Sequence, residues 1–335
     1  MEPMPLSWTL DWPHGRATVL ATGGILWECA FRLTEGRWFR PFAQAPWGGA
    51  GPDGLPGHMR WLGGEFPCLP FGVGGLPRQP VAPWDAILNG DINDPPHGHA
   101  ANDDWHAVAA TPTHLELQLD YPEGHDIARV TRRIRASPDR PRLDLELTVE
   151  ARRACRYPVG LHPILRLPDR PGALRLTAGF DIGLTYPAIV EPDRMLAEPG
   201  EQFRDLAMVP ARGGGMVDLS RMPPGPAVED VVQLLGVRGP VQARFLDEAA
   251  MLELDWDHAL LPACQVWVSD RALKTEPWNG SFRGLGLEPT AAAFDFARAA
   301  SLARSPINDL GYATNLAFAP ESPTTIRYSL EAISV

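Results

Sequence analysis

The chain has 335 residues, with 30 basic side chains against 41 acidic ones, a net charge of −11 and a pI of about 5.3. That balance argues against nucleic acid or an anionic membrane as a partner, because phosphates would be repelled, and no apolar run of about 18 residues suggests a membrane span. The 32 glycines and 36 prolines are hostile to long helices and suit short strands joined by turns.

In chain order, Met1 to Gly15 lacks the basic-then-apolar pattern of a signal peptide, so a cytoplasmic protein is expected. The four cysteines, Cys29, Cys68, Cys155 and Cys264, stand far apart. They read as free thiols rather than a zinc site or a disulfide framework. Gly48 to Gly57 is loop-rich. Leu115 to Asp120 and Leu143 to Val149 alternate apolar and polar residues, as half-buried strands do. Between them Ile127 to Ile134 is strand-like and carries Arg129, Arg132 and Arg133. With turn chemistry at 121–124 and 137–141, residues 113–153 read as an antiparallel meander. Cys155 to Leu161 is another strand, followed by His162-Pro163. A Gly- and Pro-rich stretch runs from Glu198 to Pro226. Residues 251–256, 264–268 and 324–330 are of strand length, and only Ala291 to Ala303 looks helical. No repeat of 20–50 residues is present. The expected fold is all-β, with few short helices. Strands spread evenly over residues 1–335 favour one continuous domain of two stacked sheets.

Two ionisable side chains stand in apolar, turn-forming surroundings 126 residues apart: His162 in Val159-Gly160-Leu161-His162-Pro163 and Glu288 in Leu285-Gly286-Leu287-Glu288-Pro289. Brought into one cleft, they would form a general acid and a general base. Taken alone, His162 reads first as a core or turn histidine with a satisfied ring nitrogen, and Glu288 equally as half of a structural salt bridge. His97 and His99 would share a face if they lay on a strand, which invites a cupin-like metal reading. Their Gly- and Pro-rich context favours a loop, where that face is lost. Eleven tryptophans are mostly core material, though one or two in a cleft would offer flat faces for sugar C–H groups. Trp61, Trp84, Trp105, Trp267 and Trp278 lie near these segments.

These segments resemble the aldose 1-epimerase (galactose mutarotase-like) family, over most of the chain from about Gly23. Trp61-Leu62-Gly63-Gly64-Glu65-Phe66-Pro67 through Phe71-Gly72 resembles the family's early Gly-Gly and Phe-Gly segment. Pro96-His97-Gly98-His99 followed by Trp105 resembles its His-Gly…Trp segment. Gly160-Leu161-His162-Pro163 is similar to its Gly-x-His-Pro, and Leu285 to Pro289 to the strand bearing its essential glutamate. Ala319 to Ser322 resembles the turn before the closing strand.

The resemblance implies a large antiparallel β sandwich, the galactose mutarotase-like supersandwich. It also implies an enzyme that interconverts the anomers of a sugar without cofactor or metal. His162 would be the acid and Glu288 the base. His97, Asp230, Arg60 and Trp105 would contact the monosaccharide. A bell-shaped pH profile would follow, with Glu288 on its lower limb and His162 on its upper limb. Three positions depart from the pattern. Leu62 and Ala101 stand where the phosphosugar branch has arginines, with Arg60 two residues before Leu62, which argues for an uncharged hexose. Ile164-Leu165 replaces Tyr-Phe after His162-Pro163. The competing reading is a carbohydrate-binding or regulatory protein on the same fold with weak or no catalysis.

Overall fold

The computed structural model describes residues 5–73, 80–87 and 94–335. Strands make up 46% of it and helices 8%, far below the helix content of an ordinary globular domain. The meander is present as strands His106–Thr111, His114–Asp120, Ile127–Ala136 and Arg142–Ala151, each antiparallel to the next. The closing strand Thr324–Ser334 pairs with Arg142–Ala151. The sheet then continues through Ala250–Trp256, Arg238–Phe245, Leu174–Gly179 and Arg221–Met222, nine strands in all among the described residues.

A second sheet of eight strands has Glu229–Leu235, Ala263–Asp270 and Arg283–Ala291 as adjacent central strands. The two sheets face each other across the main core. Leu117, Leu145, Leu147 and Ile326 come from the first sheet, and Val232, Leu234, Val266 and Leu287 from the second. Fully burying one such side chain contributes about 1.5–3 kcal/mol. Every residue of Glu229–Leu235 is buried, so this strand is covered on both faces. One face meets the core, and the opposite face, offset by one residue, is free to build a site.

A smaller antiparallel sheet, Ser7–Trp12, Gly15–Leu20, Leu26–Arg32 and Trp38–Phe39, precedes the segment 42–72 that closes one side of the site. That segment is tied down by a buried ion pair between Glu65 and Arg132. The Tyr328 hydroxyl donates to Glu65 Oε1 at 2.9 Å, and Arg132 donates to the Gly24 carbonyl at 2.9 Å. Arg129 and Arg133 of the same strand instead pair outward with Asp120 and Glu116. Arg132 faces inward because its charge finds a carboxylate and a carbonyl there; unpaired, it would be costly.

One expectation needs adjustment. Residues 291–303 form no continuous helix: Arg283–Ala291 is strand, and only Arg298–Leu302 is helical. The alanines that suggested a helix at 291–293 are buried beside the second sheet, where packing overrides propensity. The cysteines are free thiols, buried except for the half-buried Cys155. No described helix is long and apolar enough to cross a membrane.

Candidate active site

The register of the second sheet brings the two separated segments together. Val159–Leu161 pairs with Arg283–Ala291 at Ala291 and Thr290, and Ile164–Leu165 pairs with the same strand at Gly286 and Leu285. The register is unchanged across the interruption at His162-Pro163. His162 therefore stands opposite Glu288, with its Nε2 3.6 Å from Glu288 Oε1. On the other flank Gln265 is the cross-strand partner of Glu288, and its amide donates to Glu288 Oε2 at 2.8 Å. Pro163 leaves its neighbours' hydrogen bonds intact: Leu287 N–H donates to the Pro163 carbonyl at 3.0 Å.

Room for the Glu288 carboxylate comes from Gly286, two residues earlier on the same face. A Cβ there would lie 2.3 Å from Glu288 Oε1 and 3.2 Å from the Trp267 ring. The same alternation places Glu229 and Val231, Gln265 and Trp267, and Glu288 on one wall of a cavity of about 250 Å³. His58, His97 and His162 also line this cavity. His162 is stacked on Phe66 (ring centroids 4.7 Å apart, planes at 21°) and meets His97 edge-on at 5.1 Å. His97 turns into the cavity from a left-handed backbone conformation, φ 59°. Behind it Asn102 Oδ1 accepts from His58 Nδ1 at 2.8 Å, and the Asn102 amide donates to the Pro96 and Gly98 carbonyls at 2.7 Å each. Among the described residues, His162 Nδ1, His97 Nδ1 and Glu288 Oε1 are buried without a hydrogen-bond partner, whereas buried polar atoms are ordinarily satisfied.

Burial shifts every ionisable group here toward its neutral form. His162 is lowered to about 3 by burial and by His58. Burial lowers His58 to about 4, partly opposed by its bond to Asn102, and His97 is held well below the ordinary value. Burial, with the Asp295 charge adding to it, raises Glu288 well above the ordinary value against the pull of Gln265. These directions favour the pair's shared proton on Glu288 and an uncharged imidazole at His162. This reverses the order in which the sequence reading had the two groups titrate.

Of the remaining residues singled out in the sequence, only some reach the cavity. Asp230 does not. It lies on the opposite face of its strand, fully buried, where Oδ2 accepts the Leu196 and Ala197 N–H groups at 2.8 and 2.9 Å. Its neighbour Glu229 is the carboxylate on the cavity wall. Trp105 is also withdrawn: it is 2% exposed within the main core, and its indole donates to the Ala100 carbonyl at 2.9 Å. Trp267 and Trp278 line the cavity instead, while Trp61 and Trp84 are buried in flanking clusters. Arg60 ends the short helix Gly57–Arg60, whose His58 and Met59 reach the cavity; Arg60 is not among the lining residues. His99 points away from His97 and bonds Asp103 at 2.7 Å, so the two do not converge on a metal. Among the described residues no cluster of three or more ligating side chains is present.

No protein-family model and no curated protein matches the chain. Solved structures do. A candidate aldose 1-epimerase from Escherichia coli K12 is 18% identical with a TM-score of 0.67, over 98% of this chain and 99% of that one. The GalM/aldose epimerase homologue from C. elegans is 13% identical with a TM-score of 0.63, over 98% and 100%. A galactose mutarotase-like protein from Lactobacillus casei ATCC 334 is 11% identical with a TM-score of 0.60, over 98% and 100%. Likeness along the whole length, with the antiparallel sheets described above, identifies the fold: the chain is a galactose mutarotase-like β sandwich.

Proposed function

We propose that this protein is an aldose 1-epimerase-like enzyme acting on an unphosphorylated monosaccharide, with His162 and Glu288 as its proton-transfer pair. The observation that carries the reading is the cross-strand pairing of His162 and Glu288 at 3.6 Å, each presenting an unpartnered atom in a cavity walled by Trp267 and Trp278. Such a pair is poised to move a proton on a bound molecule rather than to hold the fold together.

In the forward step the Glu288 carboxylate takes the proton of the anomeric hydroxyl. The bond from the anomeric carbon to the ring oxygen breaks, its electron pair goes to the ring oxygen, and His162 as imidazolium protonates it. The open aldehyde rotates about its C1–C2 bond and recloses by the reverse transfers. The imidazolium–carboxylate form carries one proton between the two groups, as does the resting neutral pair. A bound polar sugar lowers the cost of the charge-separated form. His97, edge-on to His162, is placed to hydrogen-bond the sugar, and the indole faces to stack on its C–H groups.

Polarimetry of freshly dissolved hexoses and pentoses tests the reading. A rate well above the spontaneous one for at least one aldose is expected. Binding without acceleration would make the protein a carbohydrate-binding module on this fold.

A further inference from the structure

The proton-transfer pair leaves two more carboxyl groups on the cavity wall, Asp295 and Glu229. Asp295 is engaged by the Tyr186 hydroxyl at 2.9 Å. Glu229 is different. It is 3% exposed, and its Oε1 accepts the Trp267 indole N–H at 2.7 Å, but its Oε2 makes no well-formed hydrogen bond among the described residues. No lysine or arginine is among the described residues lining the cavity. The nearby charges that act on Glu229, Asp230 and Glu191, are of its own sign. Burial pushes Glu229 up to about 7 against the pull of Ser269 and Trp267, so the site holds this carboxylate at a cost that a bound cation would relieve. Trp267 and Trp278, with ring centroids 6.2 Å apart and planes at 81°, add π faces that also favour positive charge.

We propose that Glu229 is a subsite for a protonated amine, so that the preferred ligand is an aminated monosaccharide rather than a neutral hexose. This rests on the reading of the cavity as a sugar site. A carboxylate buried with no cation on the described lining selects against phosphate and carboxylate on the ligand and is indifferent to an amide, which carries no charge. A primary amine supplies the charge and a well-placed donor for Oε2.

Calorimetry at pH 7 tests it, with glucosamine, galactosamine and mannosamine each titrated beside the parent hexose and the N-acetyl derivative. At least one amine is expected to bind about ten- to hundredfold tighter than its parent, as one charge-assisted bond provides. N-acetylation should remove the advantage. Glu229→Gln, which retains an acceptor for Trp267, should bring the amine-to-parent ratio near unity. Amines that bind no tighter than their parents, or a preference that survives Glu229→Gln, would overturn the proposal. Polarimetry of the parent hexoses runs in parallel and keeps the two readings apart. Acceleration without an amine preference removes only the subsite, and an amine preference without any acceleration removes only the epimerase.

Discussion

At the scale of single residues, His162 and Glu288 are displaced in opposite directions by the same burial, and this sets the pH dependence. The pair holds one proton between the lowered value of His162, about 3, and the raised value of Glu288. The lower limb of a pH–rate profile then belongs to His162 and the upper limb to Glu288, as macroscopic values of the pair. We expect kcat/KM on a turned-over aldose to hold its plateau below the ordinary carboxylate value of about 4.3 and to fall only as pH approaches the lowered His162 value of about 3. A narrow maximum between the ordinary values of about 4.3 and 6.5 would contradict this titration order. Gly286 offers a second test. Its Cβ would displace the end of the Glu288 side chain, a flexible group that can yield. Gly286→Ala should lower activity at least tenfold while shifting Tm by only a few degrees; an unaffected rate would show that the carboxylate position is not critical. Both members of the pair were legible in the sequence, because an ionisable group among apolar and turn residues is unusual. Glu229 was not distinguishable from Asp230. They are adjacent on one strand, and only the sheet register decides which of two alternating faces is the cavity. Gln265 and His58 were missed because each is an ordinary polar residue until Glu288 and His97 are placed beside it.

At the scale of elements, the three central strands keep a polar wall on a face that could have been apolar, and stability carries the cost. A carboxyl group whose value is raised in the folded state binds its proton more tightly there than in the unfolded chain. Its contribution is intact below the unfolded value and is lost as pH rises toward the folded one. Glu288 is such a group, so the wild type should weaken through this window relative to a variant that cannot ionise. Glu288→Gln retains the shape and the acceptor for Gln265. Its Tm should exceed the wild type's by a margin that widens between pH 5 and pH 8, a stability–activity trade-off of the usual kind. Thermal unfolding at both pH values decides it: a variant less stable at pH 8, or a margin that does not change with pH, would show that Glu288 is not held protonated. The meander at 113–153 was read correctly from alternation, since one face of that sheet is core and the other solvent. The central strands of the second sheet are buried on both faces, so their period is masked and their pairing could not be read from the chain.

At the scale of the whole molecule, charge and cavity point the same way. The protein is acidic, Leu62 lines the cavity and Ala101 is buried behind it, and the described lining offers no guanidinium. A hexose 6-phosphate should therefore bind no tighter than its hexose, and calorimetry showing the reverse would remove the unphosphorylated-substrate reading. The sandwich itself was legible because Gly, Pro and strand alternation are spread along the whole chain. The fall of Trp105 into the core was not, because a tryptophan's motif context does not say whether its indole N–H finds a backbone partner. The central claim is that one cross-strand pair performs the chemistry. It is tested most directly by NMR exchange measurements of anomer interconversion, over a panel of unphosphorylated aldoses, for the wild type, His162→Asn and Glu288→Gln. The account expects acceleration of at least one sugar by the wild type and a loss of about 10²–10⁴ in each variant. Full activity in both variants, or no acceleration of any sugar by the wild type, would contradict it.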